Sequence, residues 1–259
     1  MSIQRIPLFQ EGSILTHDML NVLKEYSIYA TELAYEGYSD GVIKGCEISA
    51  AEGVLTIGKG MIRIRSRNYY LFHEVSIVVE KTNHTKVVAI RAAEEEKSTD
   101  FLIRDIQILV EDLEDVIPGD LELCRFQLQE GAKLRTEYTD FSDMNTLYDT
   151  VCLINADWSG YETPTLAYPV LRFFREQALK YAVTNMEDKL FLNEIALLNG
   201  TSMNVKAINQ YLAWKLDQEY TERPMDEIFE GLKEALSRIR TGKGTQKTGR
   251  MASRQLIVE

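Results

Sequence analysis

The sequence predicts an α+β chain: an N-terminal amphipathic helix, an antiparallel β-sandwich or barrel-like domain, and a C-terminal helical bundle. Three observations lead there. Residues 17–36 lack proline and internal glycine and carry an apolar stripe, whereas residues 42–138 break into short runs punctuated by glycine and other turn formers. Beyond Asp149 the apolar spacing becomes helical, with Pro169 and Pro224 where a first helical turn tolerates proline.

In chain order, residues 3–9 (IQRIPLF) read as a short extended lead-in, confined by Pro7 to an edge. Thr16 is the expected N-cap of the helix over 17–36, and Gly37 is placed to end it. Met19, Tyr26 and Leu33 recur every seven residues, Val22 and Tyr29 fill the intermediate positions, and Leu23 and Ala30 widen the stripe. An apolar stripe of that width must be covered. The chain's own sheet is the first expected cover; the alternative is a self-associating coiled coil, although fewer than three full heptads are present.

Residues 39–72 are the most informative stretch. Glycines at 41, 45, 53, 58 and 60 mark turns or bulges, and Ile62 and Ile64 alternate with Arg63, Arg65 and Arg67. That period of two predicts a sheet with one dry and one wet face. Strands are expected at 42–49, 53–58, 61–66, 69–72, 74–80, 86–92, 101–110, 121–128 and 133–138, with a solvated loop at 93–100 and a Pro118-Gly119 turn at 117–120. Four helices should follow, over 170–182, 186–198, 203–219 and 225–240, with Ser202 capping the third. The expected units are thus 1–38 (extended segment and helix), 39–148 (β domain), 149–240 (helical domain) and 241–259 (a flexible basic tail).

Composition narrows the function. With 45% hydrophobic and 27% charged residues, the 259-residue chain is of ordinary globular type, and its net charge of −11 disfavours a general nucleic-acid binder. Residues 241–259 carry four basic side chains against Glu259, a formal +3, which leaves −14 on the remainder. The terminal QLIVE, with Leu256, Ile257 and Val258, is a candidate strand for the edge of a neighbouring subunit. No membrane-spanning run and no secretory signal are read, so the sequons at Asn83 and Asn199 carry little weight. Cys46, Cys124 and Cys152 are expected to be reduced and buried.

No motif for chemistry emerges. The 241–249 segment lacks phosphate-loop spacing, and His17, His73 and His84 share no ligand spacing. Asp140, Asp143 and Asp149 are expected as caps and turn formers rather than catalytic acids. No catalytic residue, cofactor or metal is therefore assigned.

The order LTHDMLNVLKEYSIYATELAYEGYSDGVIKGCEIS, GVLTIGKGMIRIRSRNYYL and VVAI, followed by GDLELCRFQLQEGAKLRTEYTDFSDMNTLYD, resembles baseplate proteins of contractile phage tails and phage-derived bacteriocins of Gram-positive bacteria. The likeness spans residues 8–149 and departs at Arg67-Asn68, where the pattern carries glycine. It implies a non-enzymatic structural subunit, made in the bacterial cytoplasm and built in multiple copies into a baseplate, whose partners are other baseplate or tail proteins. Neither nucleic acid nor membrane insertion is expected. Met19, Val22, Leu23, Tyr26, Tyr29, Ala30 and Leu33, with Leu256, Ile257 and Val258, are the expected interface. The alternative is a host-surface glycan-binding module using Tyr69, Tyr70 and the aromatic loop at 158–161.

Overall fold

The computed structural model describes residues 5–242. The expected strand partners Leu256, Ile257 and Val258, and nearly all of the basic tail, lie outside the described residues. Helix α1 spans His17–Ala34, with the Thr16 side chain accepting from the Met19 amide as the cap requires. Residues 5–9 of the expected extended lead-in form no strand.

Eleven strands follow among the described residues: β1 (Gly41–Gly45), β2 (Ile48–Ala51), β3 (Val54–Ile57), β4 (Gly60–Ile64), β5 (Arg67–Leu71), β6 (Val75–Val78), β7 (Lys86–Ala92), β8 (Glu96–Lys97), β9 (Leu102–Ile103), β10 (Ile106–Asp112) and β11 (Leu121–Phe126). They pair antiparallel as three three-stranded sheets, β1-β4-β5, β2-β3-β6 and β10-β7-β11, with β8 and β9 as a separate ribbon; none closes into a barrel. The expected single strand at 42–49 is two, because it breaks at Cys46, which adopts positive φ. The expected loop at 93–100 contains β8, and the expected strand at 133–138 reduces to one bridge, Arg135 with Thr150.

The β4–β5 hairpin is unusual in its chemistry. Ile64 pairs with Arg67, so the loop is Arg65-Ser66, and both residues have positive φ without a glycine between them. Such a turn ordinarily uses Asn-Gly because a Cβ is strained there. Here the Asp40 carboxylate, 25 residues away, accepts both turn amides, Arg65 at 2.7 Å and Ser66 at 3.1 Å. This resolves the departure from glycine at Arg67-Asn68, since the turn lies two residues earlier and a side chain from outside the hairpin holds it.

Alternation along β4 fails at one point. Arg63 is buried, so the expected wet face of β4 is covered there. Its Nε donates to the Tyr38 carbonyl at 3.2 Å and its Nη1 to Asn68 Oδ1 at 3.0 Å.

Residues 157–161 tie the β region to the helices that follow. Val42 donates to the Asp157 carbonyl and accepts from the Ser159 amide, and the Ser159 hydroxyl donates to the Ser39 carbonyl at 2.6 Å. Gly41, at φ +143°, lies against this backbone: a Cβ there would sit 2.6 Å from the Trp158 carbonyl carbon. Asp140 accepts from the amides of Ser142 and Asp143, and Asp143 from the amide of Thr139, the turn-forming role expected of them, whereas Asp149 shares Arg135 with Asp143 as an ion pair.

Four helices complete the described chain: α2 (Tyr168–Ala178), α3 (Met186–Leu197), α4 (Val205–Leu216) and α5 (Met225–Arg240). Asn204, rather than Ser202, caps α4. Gly231 of α5 faces Leu212 of α4 so closely that a Cβ would come 2.9 Å from its Cδ1. The buried core is continuous from Ile62 and Ile90 in the sheets through Phe126 and Phe141 to Phe174, Tyr211 and Phe229 in the helices. Within it Lys215 Nζ meets Asp188 Oδ2 at 2.6 Å, and the Tyr211 hydroxyl donates to Asp188 Oδ1 at 2.9 Å. Burial and then the Asp188 charge push the Tyr211 phenol above its ordinary value, so it remains a donor.

Two outcomes are expected in urea unfolding. Asp188→Ala strands the Lys215 ammonium in the core and should cost about 3–5 kcal/mol, whereas Asp188→Leu with Lys215→Met and Tyr211→Phe, which leaves no buried polar group of the cluster unpaired, should recover most of it. Arg65→Asn with Ser66→Gly should gain about 1 kcal/mol by relieving the turn. In that background Asp40→Ala should cost measurably less than in the native chain.

Candidate assembly surface

Helix α1 has no buried residue. Its expected cover, the chain's own sheet, is the reading the structure overturns. The reason lies in which face of the helix is held. Asn68 of β5 donates to the Thr31 carbonyl at 3.4 Å while accepting from Arg63, so the relay Arg63–Asn68–Thr31 fastens the helix to the sheet β1-β4-β5. At about 100° per residue, Thr31 lies on the side opposite the stripe that runs through Val22, Tyr29 and Leu33. At this end of the helix Thr31 is half-buried while Tyr29 and Leu33 on the stripe are exposed, whereas residues 23–30 are exposed on every side.

The electrostatics favour that attachment. The last turn of α1 contains no basic residue, and its carbonyls carry the negative end of the helix dipole. Arg63 supplies the missing cation from the sheet, against the Tyr38 carbonyl just past the helix end. Tyr35 completes this end: its ring stands edge-on to Tyr38 at 5.4 Å, and Tyr38 likewise to Tyr161 at 5.9 Å. Desolvation first, then the neighbouring Tyr38 and Tyr70, raise the Tyr35 phenol above its ordinary value.

Of the expected interface residues, Met19 and Val22 are half-buried, and Leu23, Tyr26, Tyr29, Ala30 and Leu33 are exposed, Tyr29 and Leu33 to 68% and 72%. They form one continuous surface. Other exposed apolar residues stand outside the expected set: Ile6, Leu8, Phe9, Ile14 and Leu15 before the helix, and Tyr70 and Phe72, which stack on each other at the end of β5. One signal was available, since Leu15 stands seven residues before Val22 and continues its repeat. Arg63 and Asn68 were missed as anchors because alternation alone assigns Arg63 to water.

The glycan-stacking alternative loses two rings. Tyr69 and Trp158 are only 6% and 5% exposed and belong to the core, whereas Tyr70 and Tyr161 remain accessible. A hollow of about 670 Å³ opens along α5 between Asn155, Arg223, Glu227 and Lys233, and its charged groups are of mixed sign. Among the described residues no three His, Cys, Asp or Glu side chains are grouped to hold a metal ion.

No protein-family model matches the chain, and no curated protein matches it in sequence. Three solved structures are similar in part. A crystal structure of TssK gives a TM-score of 0.36 at 6% identity, over 90% of this chain and 72% of that one. A chain of the TssK-TssF-TssG baseplate subcomplex of the type VI secretion system gives 0.36 at 10% identity, over 92% of this chain and 99% of that one. A chain of the type VI secretion system baseplate complex gives 0.34 at 10% identity, with the same two coverages. Scores this low, at so little identity, do not make the folds the same.

The anchor can be tested apart from any partner. Asn68→Ala removes an acceptor from buried Arg63 and a donor from Thr31, and should cost about 1–3 kcal/mol. Amide exchange in residues 28–38 should accelerate more than in β7. Uniform acceleration across both would show that Asn68 supports the core and does not hold the helix.

Proposed function

We propose that this protein is a non-enzymatic structural subunit of the baseplate of a phage-like contractile tail, acting by assembly with other baseplate proteins in several copies per particle. The observation that carries this reading is α1 itself: a helix fixed to the body by its polar face, presenting a regular apolar stripe outward. Soluble monomers rarely expose a contiguous apolar surface beyond a few hundred Å² unless it binds something. The sequence resemblance over residues 8–149 supplies the kind of assembly, and the stripe supplies a place for a neighbour to dock.

On this reading the stripe and its lead-in are covered in the particle, and the unlike ends of the molecule contact unlike neighbours. Each lasting contact needs about 1,000 Å² or more of buried surface. Residues 256–258 fit an edge-strand contact on a neighbour, with the basic residues before them drawn to the acidic bodies. The protein is made in the bacterial cytoplasm and ends in the baseplate.

Co-expression of the full chain with each protein encoded beside it tests the assignment. At least one should co-elute through size exclusion as a defined subcomplex. Tyr29→Glu with Leu33→Glu should weaken at least one such contact tenfold or more. If no protein of the gene cluster is retained at micromolar concentration, the assignment fails.

A further inference from the structure

We infer that the outward stripe of α1 is a seam for α1 of a second copy of this chain, the helices running parallel, an inference that rests on the assembly reading above. The seam residues are Leu15, Met19, Val22, Tyr26, Tyr29 and Leu33, at successive spacings of 4, 3, 4, 3 and 4. That is the a/d spacing of a coiled coil, and no charged residue interrupts it. In this register Thr31 falls at the outer f position, diametrically away from the seam. The Asn68 contact to Thr31 therefore fixes the rotation of the helix so that the seam points off the body before any partner arrives.

Flanking charges select the orientation. The g positions are Asp18, Glu25 and Glu32, all acidic, and the e positions within the helix are Leu23 and Ala30, both apolar. Antiparallel pairing sets g against g, so Glu25 would face its own copy and Asp18 would face Glu32. Parallel pairing sets g against e, so these carboxylates pass beside Leu23 and Ala30 of the other helix and keep their water. Like charges across a seam are the device by which coiled coils reject a wrong alignment.

The area is sufficient. From their exposures of 44–72%, Leu15, Leu23, Tyr29 and Leu33 alone present on the order of 500 Å² per copy, or roughly 1,000 Å² for a pair, the size a specific interface requires. The seam is short for an isolated coiled coil, but each helix is already formed and held on a folded body, so nucleation is not charged to the association.

Light scattering and cysteine pairing on the full chain test this. The native chain at tens of micromolar should give a mass that is a multiple of 29.7 kDa, and Tyr29→Glu with Leu33→Glu should return 29.7 kDa with an unchanged far-UV spectrum. Leu33→Cys should form a disulfide with its own counterpart on mild oxidation, against a low background, because Cys46, Cys124 and Cys152 are free but buried. Burial pushes the Cys46 thiol up to about 12, which keeps it unreactive. A native mass of 29.7 kDa, or a Leu33→Cys chain that links only to a Leu15→Cys chain, overturns the parallel seam. A chain that stays single yet retains a cluster protein sinks this pairing and leaves the assembly reading standing. A chain that pairs through Leu33→Cys yet retains none does the reverse.

Discussion

A buried guanidinium governs the outer half of this molecule. Arg63 sits in the middle of an otherwise apolar strand, and both of its hydrogen-bond acceptors, the Tyr38 carbonyl and the Asn68 amide oxygen, are uncharged. A buried cation needs negative potential from somewhere. The Tyr38 carbonyl, four residues past the end of α1, supplies part of it, so Arg63 and the segment that leaves the helix hold each other in place. Asn68, which accepts from Arg63, in turn donates to Thr31 on the side of the helix opposite the stripe, and this leaves Tyr29 and Leu33 outward.

The same economy of long-range contacts shapes the rest. Asp40 stabilises a turn 25 residues ahead of it, and Ser39, Gly41 and Val42 join residues 157–160 across more than 110 residues of chain. The short segment between α1 and β1 is therefore hydrogen-bonded to the β4–β5 hairpin on one side and to the approach to α2 on the other. Movement of α1 relative to the sheet would have to break contacts to both. The helix contributes no residue to the continuous core, so a neighbour docking on it would be coupled to the β sheets through the Asn68 contact and the 38–42 segment, and from there, through Trp158 and Tyr168, to the helices.

Periodicity made the helices legible: the Pro224 entry and the bounds of α5 agree with expectation, and α1 begins at its expected cap. It also located most strands. What it could not do was distinguish two faces that are both covered, because alternation reports polarity rather than surroundings; Arg63 reads as solvent-facing and is buried. Nor can local patterns announce a turn whose stabilising group is remote, as with Asp40. The stripe on α1 was visible as a stripe, but its direction was not. That direction depends on a hydrogen bond from Asn68 to Thr31, 37 residues apart, which no spacing rule encodes.

An outward apolar seam on a chain of net charge −11 raises the question of why it does not simply aggregate. Part of the answer is the bulk charge, which keeps like molecules apart at distances up to about a Debye length, roughly 8 Å at physiological salt. The rest is local. Asp18, Glu25 and Glu32 border one side of the seam, so an approaching apolar surface must either lack acid on the matching side or carry a base there. Indiscriminate contact with the acidic faces of other copies is penalised, whereas a partner that offers Leu23 and Ala30, or a basic stripe, is not. Repulsion at the rim thereby turns a hydrophobic surface, which alone would bind anything oily, into one that discriminates among neighbours. Such selectivity is what a multi-component assembly demands of each of its parts.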